Sequence, residues 1–175
     1  MPRLVLTVIG DDRAGLVSAL ADVVTAHDGN WEDSQLAELA GKFAGIVVVG
    51  VPAERVEELT DALHALDGLL EVTSHPGVEG AAAGGVADDA DAQRLKVDLL
   101  GNDSPGIVRE VSSVLSRHEL SIETMTTETR EAPMAGGLLF EAHVVVRVPG
   151  GSDTAALRAD LERLATELLV DIAVA

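Results

Sequence analysis

The chain repeats itself, and this repeat limits the possible folds more than any other feature of the sequence. The segment "GDDRAGLV" begins at Gly10, and "GNDSPGIV" begins 91 residues later at Gly101. Each segment opens with glycine, continues with acidic or amide residues, and reaches a second glycine five positions on. A fixed internal offset of this kind is typical of one structural unit that is used twice.

The similarity extends well beyond the two segments. With the offset of 91, apolar positions coincide through the next predicted strand and helix, and His27 falls on His118. The offset then grows to 97, where Phe43 falls on Phe140, the only two phenylalanines of the chain. The six additional residues of the second copy lie around Thr127–Gly137. The two copies are therefore one kind of unit, with a longer loop in the second.

Hydrophobic periodicity predicts the same order of elements in both copies. Alternation and β-branched runs predict strands, and apolar residues at helical spacing predict helices. In the first copy the predicted strands are 4–9, 29–39, 42–51 and 69–73, and the predicted helices are 14–27 and 53–67. In the second copy the strands are 94–101, 120–130, 137–148 and 169–174, and the helices are 105–118 and 153–168. The order βαββαβ, twice, predicts an α+β fold of two tandem ferredoxin-like units, each an antiparallel sheet with its helices on one face.

The segment between the copies differs in composition from both. "HPGVEGAAAGGVADDADAQ" is rich in alanine, glycine and aspartate and shows no periodicity. Such a composition is typical of a flexible, solvated linker. We therefore expect a first domain over residues 1–75, a linker over 76–93 and a second domain over 94–175.

The charge of the chain excludes one large class of partners. Twelve lysines and arginines stand against 30 aspartates and glutamates, which gives a formal net charge of −18. Nucleic-acid binding needs clustered basic residues that displace counterions from phosphates, and both halves of this chain are acidic. We therefore expect no direct binding to nucleic acid.

Other absences in the sequence narrow the function classes further. The chain has no cysteine, which excludes a disulfide scaffold, a thiol enzyme and a cysteine-ligated zinc site. The five histidines have no metal-site spacing, and no serine-nucleophile motif is present. Neither a signal peptide nor a membrane-spanning run is evident. We expect a cytoplasmic, soluble protein that is not an enzyme and that holds no metal or cofactor.

The loop of the second copy has the residue types that could hold a free amino acid. Asp103 or Ser104 is a good helix N-cap, and Pro105 fits the first helical position. Gly106 would then lie in the first turn, where glycine costs about 1 kcal/mol relative to alanine, so a close approach to the backbone is indicated. Free amides at a helix N-terminus favour a carboxylate, and Asn102 or Asp103 could accept an ammonium group. The alternative is that the loop only caps the helix and lets it meet the strand.

These residues carry a resemblance to a known family. "GNDSPGIVREVSSVLSRHELSIE" resembles an ACT domain, a regulatory module that commonly binds amino acids. Two such units, with "TETREAPMAGGLLFEAHVVV" in the second, are similar to the glycine-cleavage-system transcriptional repressor family. The resemblance covers nearly the whole chain except the linker. It implies a ligand beside the loop after the first strand, often where two units meet side by side. The site residues that it implies are Asn102, Asp103, Ser104, Gly106, Ile107 and Ile122, with Asp11, Asp12, Arg13, Gly15 and Leu16 in the first copy.

The first copy departs from the second at two loop positions. Asp11 stands where the second copy has Asn102, and Ala14 stands where it has Pro105. Because the first loop lacks the amide, we expect it to bind an amino acid less well. Arg13 could also neutralise its acidic neighbours.

The resulting hypothesis is a non-catalytic, homo-oligomeric (dimeric) regulatory protein. It would bind an amino acid at its strand–helix loops and signal through a partner protein, in transcriptional regulation of glycine or other amino-acid metabolism. Two alternatives remain open: an interaction protein without a ligand, and the regulatory subunit of a separate metabolic enzyme. Since the sequence ends at Ala175, directly after the eighth predicted strand, we expect no catalytic domain in this chain.

Overall fold

The computed structural model describes residues 1–78, 91–134 and 136–175, and the chain divides into two units, Met1–Ala87 and Asp88–Ala175. The first unit consists of β1 (Arg3–Asp11), α1 (Leu16–Ala26), β2 (Asn30–Leu39), β3 (Lys42–Gly50), α2 (Val56–His64) and β4 (Glu71–Pro76), with a 3₁₀ turn at Ala53–Arg55 before α2. The second consists of β5 (Gln93–Asn102), α3 (Ile107–Arg117), β6 (Ser121–Glu131), β7 (Leu138–Val148), α4 (Thr154–Leu168) and β8 (Val170–Val174).

Each unit contains one four-stranded antiparallel sheet. The strand order is β2-β3-β1-β4 in the first unit and β6-β7-β5-β8 in the second. The first strand of each unit, β1 or β5, is therefore an interior strand of its sheet. The loop that follows this strand leads directly into a helix, α1 or α3. The predicted α+β fold of two tandem ferredoxin-like units is confirmed.

One face of each sheet is buried under its two helices. On β1, the alternate residues Leu4, Leu6 and Val8 are buried, as a half-buried strand requires. They pack with Leu20 of α1 and Leu59 of α2 in a single cluster. The second unit repeats this arrangement with its own cluster of buried strand and helix residues. Apolar burial, which contributes roughly 25 cal/mol per Å² of area removed from water, thus fixes the helices to one side of each sheet.

The last strand of the first unit begins later than the sequence predicts. Strand β4 starts at Glu71, because residues 66–70 still close the turn after α2. The N–H groups of Leu69 and Leu70 both donate to the carbonyl of Leu66, at 2.9 Å, and Gly68 has a φ of +93°. Leu70 is buried, and an apolar residue inside a tight turn is easily read as part of a strand.

The linker prediction falls mostly outside the described residues. Residues 79–90 are not among them, and strands β4 and β5 take in the outermost positions of the predicted linker, Pro76 and Gln93. The domain limits 1–75 and 94–175 stay a prediction. Within the described ranges, the helices are too short or too polar to cross a membrane.

The two units also share an ion pair at equivalent positions. Both second strands contain a bulge, between Trp31 and Asp33 in β2 and at the matching place in β6. The bulged residue is a glutamate in each: Glu32 pairs with Arg3 at 2.6 Å, and Glu123 pairs with Arg94 at 2.6 Å. The hydrogen bond from Arg94 lowers the pKa of the Glu123 carboxyl. The pairing fixes the start of the second strand against the start of the first.

Candidate functional site

The two loops have the same backbone geometry. Gly15 and Gly106 both have a φ of +91°, and each is the N-cap residue of the helix that follows. Residues other than glycine pay about 1–2 kcal/mol in this left-handed region, so the backbone alone requires glycine here. A Cβ added at either position would meet nothing within 4 Å. Gly106 is therefore the N-cap residue and not part of the first helical turn, and its positive φ is by itself a sufficient reason for glycine. The close approach expected at this backbone stays a prediction.

The helix start corrects a second expectation. Helix α3 begins at Ile107, so Pro105 precedes the helix and does not occupy its first position. Neither α1 nor α3 receives a side-chain cap, so the predicted cap by Asp103 or Ser104 is also wrong. The first-turn N–H groups of both helices thus have no side-chain acceptor in the part of the chain that the structure describes.

The first glycine of each loop, Gly10 or Gly101, is required because a side chain there would clash with a neighbouring residue. A Cβ on Gly101 would lie 2.2 Å from Val170 Cγ1 and 2.7 Å from its Cβ. A Cβ on Gly10 would lie 2.6 Å from the Leu69 carbonyl oxygen. The two loop glycines thus have separate tasks. The first allows close approach of the residues at the last strand, Val170 of β8 in the second unit and the turn before β4 in the first, and the second turns the chain into the helix.

The loop residues between the glycines are open to solvent. Residues 11–15 and 102–106 are all exposed, directly before the helix N-termini. The first intrahelical bonds run from Ala19 N–H to Gly15 O, at 2.9 Å, and from Glu110 N–H to Gly106 O, at 3.0 Å. The N–H groups of the three residues before Ala19 and before Glu110 therefore lie at the exposed, positive end of a helix. This is the environment that an anionic group prefers.

Acidic and basic side chains already pair with each other in the first loop. Lys42, which is opposite Asp11 in the β1–β3 register, forms an ion pair with it. The hydrogen bond and positive charge of Lys42 lower the pKa of Asp11, and Arg13 has a smaller effect in the same direction. Arg13 also donates to the Gly68 carbonyl, at 3.2 Å. The main neutralising partner, Lys42, was missed from the sequence, although it directly follows the turn at Gly41.

The second loop lies beside a small hollow instead. Asn102 is opposite Leu139 in the register, so no lysine stands at the position of Lys42. The Asp103 N–H donates to the Leu138 carbonyl at 2.8 Å, which joins the loop to the β6–β7 hairpin. A hollow of about 250 Å³ is lined there by Glu131, Ala132, Gly136, Gly137 and Leu138. The six-residue insertion thus builds a hollow next to the loop, and its length was the signal in the sequence.

Two of the predicted site residues lie at the helix starts, as expected, but have buried side chains, and a third lies away from the loop. The side chains of Leu16 and Ile107 are 3% and 2% exposed and belong to the two cores, so only their backbone N–H groups can reach a ligand. Ile122 pairs with Val146, which pairs with Leu95. Leu95 is seven residues from Asn102, or roughly 23 Å along a strand. Within one unit, Ile122 therefore lies at the opposite end of the sheet from the loop, and the two do not form one site.

A second hollow, of about 280 Å³, lies between α3 and α4 and is lined by residues of both helices. Its wall includes Asp160, whose carboxylate accepts a hydrogen bond from His118 at 2.7 Å. This hydrogen bond lowers the pKa of Asp160. His118 is the C-cap residue of α3, and His27 is the C-cap residue of α1, with its Nδ1 2.8 Å from the Val23 carbonyl oxygen. The predicted structural place of both histidines at helix ends is confirmed.

A group of ionisable side chains on the exposed face of the second sheet responds to pH. His143 Nδ1 lies 2.7 Å from Asp98 Oδ1, and its Nε2 lies 3.4 Å from Glu141 Oε1. The hydrogen bond with Asp98, aided by the charges of Asp98, Glu141 and Glu128, raises the pKa of His143 above its ordinary value of about 6.5. The pair therefore stabilises the fold fully below about pH 6.5, and this contribution is lost as the pH rises through the raised pKa.

We expect Asp98→Asn to lower the pKa of His143, because a neutral amide replaces the carboxylate that favours the protonated ring. An NMR titration of the ring protons measures this shift. Glu162→Gln, on α4, removes a charge from a helix rather than from this face and should leave the titration unchanged. An identical midpoint in Asp98→Asn and the wild type would contradict the assignment.

Residues 1–78, 91–134 and 136–175 contain no group of three or more histidines, aspartates or glutamates arranged to hold a metal ion.

The second loop combines hydrogen-bond donors with polar side chains that accept hydrogen bonds. Helix N–H groups face outward beside an amide, Asn102, and the carboxylate of Asp103. Such a set can bind a small molecule that carries both a negative and a positive charge.

Comparisons with known proteins agree with this architecture. A family profile described as "ACT domain" matches residues 2–75 and 93–175. The chain is 23% identical over 172 residues to the glycine cleavage system transcriptional repressor of Escherichia coli (strain K12), covering 94% of this chain and 85% of that relative.

Two solved structures share the fold over almost the full chain. An unknown protein from Galdieria sulphuraria has a TM-score of 0.86 at 29% identity, covering 99% of this chain and 96% of that one. A protein provisionally assigned as a glycine cleavage system transcriptional repressor has a TM-score of 0.69 at 17% identity, with the same coverage. The predicted resemblance is confirmed in both units.

Proposed function

The chain belongs to the ACT-domain family, and from this premise we propose that it is a regulatory protein that binds an amino acid at residues 102–106 of its second unit. The observation that carries the proposal is the uncapped N-terminus of α3, which follows Gly106 and stands beside exposed polar residues. The carboxylate of the ligand would accept hydrogen bonds from the N–H groups of Ile107 and Val108. Asn102 and Asp103 would accept hydrogen bonds from its ammonium group.

The size of the neighbouring hollow suits a small ligand. Its volume of about 250 Å³ lies below the roughly 300–1,000 Å³ that is common for drug-sized molecules. Glu131 and Leu138 border it, and Leu138 is hydrogen-bonded to the loop through Asp103. A ligand held by the helix N-terminus could therefore place its side chain over the β6–β7 hairpin.

The first loop is the weaker candidate. Its carboxylate at Asp11 is already paired with Lys42, so an ammonium group would compete with a covalently tethered cation. Gly15 has the same φ as Gly106, and Asp12 and Arg13 are exposed before it, which leaves the helix N–H groups as the remaining feature of this loop. We propose that this loop binds the amino acid more weakly than the second loop.

The signal would pass through protein contacts rather than through chemistry. We propose that the chain is non-catalytic and homo-oligomeric, and that a bound amino acid changes which protein surfaces associate. The relative from Escherichia coli is named for the glycine cleavage system, so glycine is the first ligand to try. An interaction protein without a ligand is the competing function, since the backbone alone explains Gly106.

A thermal-shift screen of the twenty amino acids tests the proposal. A ligand that binds only the folded state adds RT ln(1 + [L]/Kd) to the stability, or about 2.7 kcal/mol at a concentration of 100 Kd. We expect at least one amino acid to raise the midpoint in a concentration-dependent way. No shift with any of the twenty at millimolar concentration would favour the interaction protein without a ligand.

We also expect the purified chain to show no tight binding to duplex DNA. Its net charge of −18 opposes the phosphate backbone, and a regulator of transcription can act through a partner protein. Fluorescence anisotropy with a labelled duplex at physiological salt measures this, with and without glycine. Sequence-specific binding by the chain alone would overturn the expectation.

A further inference from the structure

The first sheet has one face turned away from its helices, and the centre of this face is apolar. Because residues alternate along a strand, burial of Leu4, Leu6 and Val8 directs their neighbours outward. Over the middle of the two central strands the outward residues are Val5, Thr7, Ile9, Ala44, Ile46 and Val48, and the charged residues Arg3, Asp11 and Lys42 lie at the strand ends. We call this surface the outer face. Ile9 and Ile46 are 47% and 51% exposed on it, in a chain whose net charge is −18.

The second unit provides an internal control for this surface. Its six matching positions, in the same fold and register, are Lys96, Asp98, Leu100, Glu141, His143 and Val145. Four of these are ionisable, and His143 pairs with Asp98 at 2.7 Å. The fold therefore does not require an apolar surface at these positions. The difference indicates that the outer face of the first unit contacts another protein surface.

The edge strands add charge only at the corners of the outer face. Their outward residues are Asp33, Gln35 and Ala37 of β2, and Glu71, Thr73 and His75 of β4. The midline of the sheet runs between β3 and β1. A two-fold axis along this line would lay β3 of one copy on β1 of the other, in an aligned stack of two sheets.

This symmetric stack is complementary to itself. Ile46 would face Thr7 of the second copy, and Ala44 would face Ile9, so that large side chains meet small ones. At the edges Asp33 would face His75, and no carboxylate would face another carboxylate. The uncharged centre of the outer face also avoids the repulsion that the rest of an acidic chain exerts on its own copy.

We propose that two copies of this chain associate through the outer face of the first sheet. This proposal rests on the self-association proposed above and names its surface, and it does not depend on amino-acid binding. A sheet of four strands and nine residues measures about 19 Å by 30 Å, or roughly 570 Å² per copy. Some 1,100 Å² in total is at the low end for specific interfaces, so the dimer is a reversible one.

Analytical ultracentrifugation of the full chain over a range of concentrations, without ligand, tests the proposal. We expect the wild type to pass from one copy to two as its concentration rises. Ile46→Glu should raise the dissociation constant at least about tenfold, because it removes buried apolar area from both copies. Val17→Glu is the matched control: it adds the same charge at a valine that is 44% exposed on α1, and it should leave the dimer unchanged.

Thr7→Lys, at the residue that faces Ile46, is an independent second variant, and circular dichroism checks that each variant folds. If the wild type stays monomeric at all concentrations, the proposed self-association is wrong. Binding of a different protein to Ile46 would not rescue it. A dimer that withstands both Ile46→Glu and Thr7→Lys would overturn only the surface, since the chain would then associate elsewhere. Both failures are distinct from the loss of amino-acid binding, which the thermal-shift screen measures.

Discussion

Gly101→Ala should lower the free energy of unfolding of the second unit by about 3 kcal/mol. An added Cβ would lie 2.7 Å from Val170 Cβ and 3.1 Å from its Cα, atoms that a change of rotamer does not move. Strand β8 would have to shift away from β5, although alanine in a strand otherwise gains about 0.5–1 kcal/mol over glycine. Urea unfolding followed by circular dichroism measures the loss.

The only tryptophan, Trp31, gives the experiment a control for location, because it belongs to the first unit. Its fluorescence transition should stay in place in Gly101→Ala and should shift in Gly10→Ala, the matching variant of the first copy. Gly106→Ala should lower the free energy of unfolding by less, about 1–2 kcal/mol. A Cβ at this position has free space, so only the strain of a positive φ in alanine destabilises the variant. Equal losses in Gly101→Ala and Gly106→Ala would mean that steric contact with β8 is not what requires Gly101.

The fold was predictable because the repeat supplied every element twice. A strand that is ambiguous in one copy, such as 29–39, gains support from its counterpart 120–130 at the fixed offset. The errors lie at element ends. Leu69 and Leu70 were read as strand because an apolar pair does not show that its N–H groups close a turn onto Leu66.

The sequence points to the strand–helix loop through its glycines, but it does not show why each glycine is required. Its glycines stood out in the sequence, but glycine is required both where a side chain would clash, as at Gly101, and where φ is positive, as at Gly106. Sequence alone does not separate these two causes, since both remove the Cβ. The distinction needs the position of Val170, which is about 70 residues away in the chain.

Long-range register decided which residues share the site. Ile122 follows the helix closely in sequence, yet the sheet carries it to the far end of β5. Lys42 is distant from Asp11 in sequence, yet the β1–β3 register sets them opposite each other. Strand pairing is the one quantity that the periodicity of single strands does not contain.

Asn102→Ala should weaken amino-acid binding about tenfold or more. Loss of a hydrogen bond to a charged ligand group costs roughly 1.5–3 kcal/mol. The fold should tolerate the change, because Asn102 is the exposed last residue of β5 and its side chain does not cap α3. Isothermal titration calorimetry with the amino acid that gives the largest thermal shift, beginning with glycine, measures the affinity.

Asp11→Ala is the matched variant in the first loop, and it should change the affinity less because Asp11 already pairs with Lys42. Gly106→Ala and Gly15→Ala form a second matched pair: both strain a φ of +91°, so an equal loss of stability separates strain from binding. If only the Asn102 and Gly106 variants lose affinity, the second loop is the site. If Asp11→Ala alone loses it, the first loop is the site, because Asp11 occupies the position there that Asn102 occupies in the second loop.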